Sequence, residues 1–330
     1  MKIAVVILNW NGAALLRQFL PTIIKFSGEA DVYVADNAST DDSVAIIRND
    51  FPTVKIILND KNYGFAEGYN RALKSVDADI YALVNSDVEV TEHWLKPIFQ
   101  QFRSEPLTAI IQPKILDFKR KEFFEYAGAA GGFIDKYGYP FCRGRIFEHL
   151  EQDNGQYNDN IDIFWASGAC MFIRKQVYDE LDGFDAYFFA HQEEIDLCWR
   201  AFNLGYKARF VSASTIYHVG GATLDSAKPQ KTYLNFRNSL LMLLKNLPQN
   251  QLYKVLFVRM LLDGVAGIRF VIHGKPAHCW AVIRAHGAFY AMFRNNYQKR
   301  MKSPGPNYYK IGSIVYASFI KGCNSYKNLF

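Results

Sequence analysis

Asn85, Ser86 and Asp87 follow directly on an almost unbroken apolar run, Ile80 to Val84. Asn85 and Asp87, two positions apart, offer the hard oxygen atoms that hold a cation together with the phosphates of a substrate. The apolar run reads as a strand buried on both faces of a sheet. Ligands of open α/β sheets gather beyond the carboxyl ends of such strands, where these polar residues stand. The same residues also fit a strand-to-helix turn in which Asp87 or Thr91 caps the following helix. A second chemical group is Glu193, Glu194 and Asp196, in the first turn of a helix expected from about Glu193. Its Ile195, Trp199 and Phe202 would face the core. Acids at a helix N-terminus complement the dipole, and one of them could equally be a general base that points into a cleft.

The elements that position these groups alternate at short intervals. Strands are expected over Lys2 to Leu8, Asp31 to Ala35, Val54 to Leu58 and Asp79 to Val84. Between them fall helical patterns over Ala13 to Phe26, Ser43 to Asn49 (capped by Ser39 or Thr40) and, after a polar turn over Asn59 to Gly64, to about Ser75. Such an order without hairpin signals predicts a largely parallel sheet with helices on both faces. It brings Asn9, Asp36 and Asp87 to one crevice at the strand ends. From Phe118 to Asp162 the periodicity weakens, and irregular strands and loops on the acceptor side are expected. Neither GxGxxG nor GxxxxGK followed by Ser or Thr occurs, which argues against a dinucleotide dehydrogenase or a P-loop enzyme.

Taken together, the segments resemble the inverting glycosyltransferase family 2, especially its rhamnosyltransferase-like members. The resemblance rests on Val6-Ile7-Leu8-Asn9-Trp10-Asn11-Gly12, Val34-Ala35-Asp36-Asn37-Ala38-Ser39-Thr40-Asp41, Asn62-Tyr63-Gly64-Phe65-Ala66 with Asn70, and Leu83-Val84-Asn85-Ser86-Asp87. It continues in Ser167-Gly168-Ala169, Gly183-Phe184-Asp185, Glu193 to Arg200 and His218-Val219-Gly220-Gly221, and covers about residues 1 to 245. It implies a GT-A fold, an α/β Rossmann-like mixed sheet with helices on both faces. It also implies a UDP- or dTDP-linked sugar donor and a divalent cation, Mn²⁺ or Mg²⁺. By similarity Asp36 would bond the imide of a uracil or thymine, with Asn9, Asn62 and Gly64 lining the same pocket. Asn85 and Asp87 stand where the family has its DxD motif. Asp87 would be the main metal ligand, Asn85 would touch ribose or metal, and His218 would approach the diphosphate and metal from the far side. His218 also fits an ordinary core or surface histidine.

The family's usual Glu-Asp pair is Glu193-Glu194 here, which makes Glu194 the implied catalytic base. Its extra methylene moves the carboxylate by about 1.5 Å, so Glu193 and Asp196 remain alternatives. Trp165, Ser167, Gly168, Glu193, Asp196 and Arg200 are candidates for the acceptor side, although a Trp fits a core as well as a sugar platform. The reaction expected is transfer of a deoxyhexose such as rhamnose, or a hexose, to a saccharide hydroxyl. The acceptor is expected to be lipid-linked, in bacterial surface polysaccharide synthesis. One rival is a sugar nucleotidyltransferase, whose Gly-rich N-terminal loop is absent. Another is a non-catalytic membrane adaptor that keeps a nucleotide-sugar pocket.

The 330 residues are half apolar and one-fifth charged, the composition of a globular chain. Five cysteines without a CxxC pair fit a reducing compartment rather than a disulfide or zinc framework. The opening apolar run is too short for a signal peptide, so a cytoplasmic chain is expected. The net charge of +6 is unevenly spread. Residues 226–330 hold 16 lysines and arginines and one acid, Asp263, whereas residues 1–225 carry an excess of acids.

The expected division is therefore a catalytic domain over 1–225 and a basic, aromatic-rich helical tail over 226–330. Within the first, a nucleotide-sugar half spans about 1–112 and an acceptor half about 113–225. Leu252 to His273 carries too many charges to span lipid. A tail of this kind suits an anionic membrane surface, with Leu256, Phe257, Leu261, Phe270, Trp280, Phe289 and Tyr290 adding an apolar contribution. A helical cap on the catalytic domain is the alternative. Nucleic acid would meet the same charge, but no nucleic-acid motif accompanies it.

Overall fold

The computed structural model describes residues 1–220, 228–300 and 308–330. Gly221, the last residue of one motif, and the expected division at 225/226 lie outside the described residues.

The chain opens with β1 (Ile3–Asn9), α1 (Ala13–Phe26), β2 (Ala30–Asp36), α2 (Ser43–Asp50), β3 (Lys55–Leu58), α3 (Gly64–Leu73) and β4 (Ile80–Asn85). The four strands are parallel, in the order β3-β2-β1-β4. Successive side chains of a strand point to opposite faces, and β1 buries both. Ile3, Val5 and Ile7 pack with Leu16 and Leu20 of α1, while Ala4 and Val6 pack with Ala66 and Tyr69 of α3. Parallel pairing brings the carboxyl ends of β1, β2 and β4 to one edge, with Asn9 opposite Asp36 and Leu8 opposite Asn85.

Beyond β4 come β5 (Val88–Val90), α4 (Lys96–Ser104) and the long β6 (Thr108–Asp117). The weakly periodic stretch forms a small antiparallel sheet of β7 (Gly132–Ile134), β8 (Pro140–Cys142), β9 (Arg145–Ile146) and β10 (His149–Leu150). There follow β11 (Ile161–Ile163), β12 (Cys170–Arg174), α5 (Lys175–Glu180), α6 (Glu193–Asn203) and β13 (Lys207–His218). The main sheet reads β11-β13-β6-β12-β4-β1-β2-β3, with β5 added beside β13. It is mixed because β12 runs antiparallel to both β4 and β6. The two halves expected at about residue 112 share this one sheet, since β6 runs through that position.

The capping expectations fail. Neither Asp87 nor Thr91 caps α4, which begins at Lys96 without a side-chain cap; the Thr91 hydroxyl bonds the Thr215 carbonyl at 2.7 Å. Ser39 and Thr40 leave α2 uncapped as well, because both bond into the turn beyond β1.

Three long helices follow, α7 (Pro229–Asn246), α8 (Leu252–Ile272) and α9 (Pro276–Gln298), then a short α10 (Ile314–Phe319). Leu240 to Leu244 of α7 join the same core cluster as Ile195 and Trp199 of α6, so α7 is built into the body. Behind it, Arg300 bonds the carbonyls of Leu244 and Leu247, and Lys299 reaches Asp185 at 2.9 Å. Leu256 and Phe289, expected to meet lipid, are buried instead. The last segment is tied to the small sheet: Asp135 accepts from the amides of Tyr137, Tyr139 and Ile314, each at 2.9 Å.

Candidate active site

At the ends of β1 and β2 short polar side chains bond one another. Asn9 donates to Asp36 Oδ2 at 2.9 Å, and Asp36 also accepts from the Ser39 amide at 2.8 Å and its hydroxyl at 2.6 Å. The Ser39 hydroxyl in turn accepts from the Asn11 amide at 2.8 Å, and Asn11 Oδ1 accepts from the Thr40 amide at 2.7 Å. These bonds lock the turns after β1 and β2 together. Asn9 Oδ1 remains buried without a partner, and a Cβ on Gly12 would stand 2.3 Å from it. A side chain at position 12 would therefore fill the space that this oxygen faces. Asn62 sits one turn away, where its Oδ1 accepts from the Gly64 amide at 2.9 Å. Gly64 has φ +74°, and a Cβ there would lie 2.6 Å from the Phe189 ring, so only glycine suits the approach.

Asp87 is buried two residues past β4. Its Oδ1 stands 3.1 Å from His218 Nε2 at the end of β13, and His218 Nδ1 stands 3.2 Å from Glu125 Oε1. Glu125 is also buried and accepts from the Ala127 amide at 2.6 Å. Burial alone would lower the His218 pKa, but the Glu125 and Asp87 carboxylates outweigh it and raise the value to about 10. The pocket thus favours positive charge.

A carboxylate oxygen and an imidazole nitrogen side by side suit Mn²⁺ or a similar cation. A second carboxylate behind the imidazole is the usual support for a metal-binding histidine. Among the described residues no group of three or more ligating side chains forms a closed cage. A cation held by Asp87 and His218 would leave most of its coordination to phosphate and water oxygens. The residues fit such an ion.

The third part is α6 and the loop before it. Phe189, His191 and Gln192 all have positive φ, between 62° and 73°, which is uncommon and costly for such residues. The loop is held from α7: Asn238 donates to the carbonyls of Phe188, Ala190 and His191 at 2.9, 2.9 and 2.7 Å. Arg237 adds bonds to the carbonyls of Tyr187 and Phe188. Phe189 in turn accepts from the Phe65 amide at 2.8 Å, which joins the loop to the Gly64 turn.

Four consecutive residues of this segment each leave one buried polar atom without a partner: His191 Nε2, Gln192 Oε1, Glu193 Oε2 and Glu194 Oε2. Buried polar groups are nearly always bonded, so a run of orphans fits a place that water or a ligand fills. Burial pushes the Glu194 carboxyl up to about 7. Burial and the neighbouring Glu194 raise Glu193 well above the carboxylate range. Burial, with Lys231, lowers His191 to about 4, which keeps it neutral.

Asp196 is different. It is fully buried and bonded by Arg200 at 2.9 Å, Lys245 at 2.8 Å and Asn246 at 2.8 Å. Burial opposes its ionisation, but Lys245 and Arg200 hold its carboxyl below the usual range. Arg200 also binds the carbonyls of Leu181 and Gly183 at 2.6 and 2.8 Å. The polar atoms of Asp196 and Arg200 are thus engaged in tying α6 to α7 and to the 181–183 turn.

Trp165 is buried, with its indole nitrogen bonded to the Phe133 carbonyl at 2.9 Å and its ring against Gly132. Ser167 is buried too, its amide bonded to Gln112 Oε1 at 2.9 Å. Gly168 lies against the Phe65 ring, and the Asn85 amide bonds the neighbouring Ala169 carbonyl at 3.0 Å. Asn85, Ser167–Gly168 and the Gly64 turn therefore meet. Glu125, Ser39 and Asn238 are the residues sequence reasoning missed in these roles. Glu125 had one legible signal, a lone acid between Phe123-Phe124 and Tyr126-Ala127 in a stretch otherwise apolar at that point.

A family model described as Glycosyl transferase family 2 matches residues 4–182. The chain is 23% identical over 247 residues to a low-salt glycan biosynthesis hexosyltransferase of Haloferax volcanii, covering 72% of this chain and 74% of the relative. It is 22% identical over 233 residues to an N-acetylglucosaminyl-diphospho-decaprenol L-rhamnosyltransferase of Mycobacterium tuberculosis, covering 65% and 75%. Among solved structures, the fold is similar to GalNAc-T7 with UDP, GalNAc and Mn²⁺, at a TM-score of 0.60 and 14% identity. That match covers 76% of this chain and only about half, 48%, of the other. A mannosyltransferase from Pyrobaculum calidifontis in complex with GDP-Man and Mn²⁺ is similar at a TM-score of 0.54 and 14% identity, covering 90% and 83%. These likenesses establish a GT-A type fold.

Proposed function

The chain belongs to glycosyl transferase family 2 and is a glycosyltransferase, and we propose that it works by a single inverting displacement with Glu194 as base. The donor is a nucleoside diphosphate sugar, UDP- or dTDP-linked, carrying a deoxyhexose such as rhamnose or a hexose. The acceptor is a hydroxyl of a saccharide, lipid-linked, for a bacterial surface polysaccharide, and the chain acts peripherally at the cytoplasmic face of an anionic membrane. Similarity to a rhamnosyltransferase with a diphospho-decaprenol acceptor supports the lipid-linked class.

The observation that carries the reading is the buried, unpartnered Oε2 of Glu194, whose carboxyl titrates at about 7. A base poised near neutrality is ionised often enough to act and still basic enough to take a hydroxyl proton. Glu193 is also raised, by burial and by the neighbouring Glu194. Asp196 already has both oxygens bonded. Asn9, Asp36, Asn62 and Gly64 form the nucleotide side, where the Asn9–Asp36–Ser39 bonds keep the turns rigid before any base arrives. A cation at Asp87 and His218, when bound, neutralises charge that develops on the leaving diphosphate. Glu125 fixes the imidazole that faces it. Glu194 takes the proton of the attacking hydroxyl from the side opposite the diphosphate, so no covalent intermediate is needed and the anomeric configuration inverts.

Release of nucleoside diphosphate from a panel of UDP-, dTDP- and GDP-sugars, with Mn²⁺ and with EDTA, tests this. Turnover is expected with a uracil or thymine donor and is lost in EDTA and in Asp87→Ala. Full activity in EDTA would remove the metal from the account. Turnover of GDP-sugars alone would remove the base assignment.

A further inference from the structure

α8 carries a continuous exposed apolar face. Tyr253, Phe257, Leu261, Val265, Ile268 and Ile272 recur every three or four residues, each more than half exposed, Ile272 at 76%. At 3.6 residues per turn they occupy about a third of the helix circumference. Soluble surfaces seldom leave a stripe of large side chains uncovered in this way. The opposite face of α8 is filled: Arg259 bonds Asp263 at 2.9 Å, and His286 of α9 approaches the same carboxylate at 3.2 Å. The stripe is therefore the outward side of a helix whose inward side is fixed. At its C-terminal end the corner into α9 adds exposed Lys275 and Trp280, while Lys254 and Arg269 stand exposed along α8.

We infer that this face of α8 is a docking surface for an anionic lipid bilayer, with the helix lying in the plane of the interface. The inference rests on the membrane-peripheral reading above and assigns it to particular residues. Charge selects the occupant. The only acid in residues 226–330 is Asp263, which is buried and paired, so the exposed surface of this region presents bases without acids. A second copy of the same face would bring like charge to like charge. A bilayer rich in acidic headgroups offers both the negative charge and an apolar layer of the right depth. Spanning is excluded by the element itself, since among the described residues no helix is long and apolar enough to cross a membrane.

The test uses the full chain with vesicles of phosphatidylglycerol mixed into phosphatidylcholine, or of phosphatidylcholine alone. The wild type is expected to co-sediment with the mixed vesicles, far less with neutral ones, and only partly at 1 M salt, because the apolar contribution is not screened. Leu261→Glu combined with Ile268→Glu should weaken partition at least tenfold. Leu107→Glu, also at an exposed leucine but outside the stripe, should bind as the wild type does. Thermal shift with UDP and Mn²⁺ serves as the folding control and is expected to be alike in all three. Wild-type partition by the double variant would overturn the assignment to α8 while leaving membrane association intact. No partition by any chain would overturn both, and nucleotide-sugar turnover in solution would still report on the reaction separately. A wild type that doubles its mass in solution while the double variant stays monomeric would hand the stripe to a second copy and contradict the inference.

Discussion

In the proposed mechanism the chemistry turns on Glu194. A carboxyl buried at the start of α6 without a partner for Oε2 resists ionisation, and its value of about 7 follows from that desolvation. The sign for activity is plain: the base works only when ionised, so transfer should rise with pH and reach half its maximum near pH 7. The sign for stability is opposite. A carboxyl whose folded value is raised favours the folded state below its unfolded value, and that contribution is lost as pH climbs through the folded one. The pH profile of kcat/KM at saturating Mn²⁺ checks the first statement; a profile flat from pH 5.5 to 8 would contradict it. Reading the acids from sequence named Glu194 by resemblance and left Glu193 and Asp196 as alternatives. What separates Asp196 from Glu194 is Lys245 and Asn246, about fifty positions along the chain. Glu125 stood out in sequence only as an acid among apolar neighbours, and its role was not legible because only the fold brings it to His218.

At the scale of elements, the first four strands were readable because a buried parallel strand writes itself as an apolar run ending in polar residues. Their ends at Asn9, Asp36 and Asn85 follow from that, and α6 was placed at Glu193 by its own periodicity. The capping readings failed because Ser39 and Thr91 had partners nearer in space than the helix they precede in sequence. The loop before α6 was the least legible. Its strained backbone is held by α7, and no spacing rule connects Asn238 to residue 188. Asn238→Ala should take the side-chain donor from the Ala190 and His191 carbonyls, leave that of Phe188 to Arg237 and the Ala190 amide, and cost about 1–3 kcal/mol. Since the loop leads into the first turn of α6 with Glu193 and Glu194, kcat should fall while the donor KM stays close to the wild type. Asn238→Asp sets an acceptor against three acceptors and should be at least as damaging. Denaturant unfolding and initial rates check both; a stability loss without a change in kcat would make Asn238 a purely structural residue.

For the whole molecule, composition announced a basic tail but not how it divides. α7 belongs to the catalytic body through Leu240 to Leu244, Asn238 and Lys245. Lys299 and Arg300 use their charge on that body, whereas α8 turns an apolar stripe outward. Burial, which decides between these roles, has no signature in a charge count, and Leu256 and Phe289 show it by facing inward. The proposed mechanism joins three parts: a rigid nucleotide side, a cation pair at Asp87 and His218, and a base on a helix clamped from α7. Glu194→Gln tests their union most directly, because it preserves shape and removes only the proton acceptor. With donor binding and sugar transfer measured on the same preparation, donor affinity should stay within about twofold and the transfer rate should fall by about 10²–10⁴. A Glu194→Gln enzyme that transfers sugar at the wild-type rate would contradict the account.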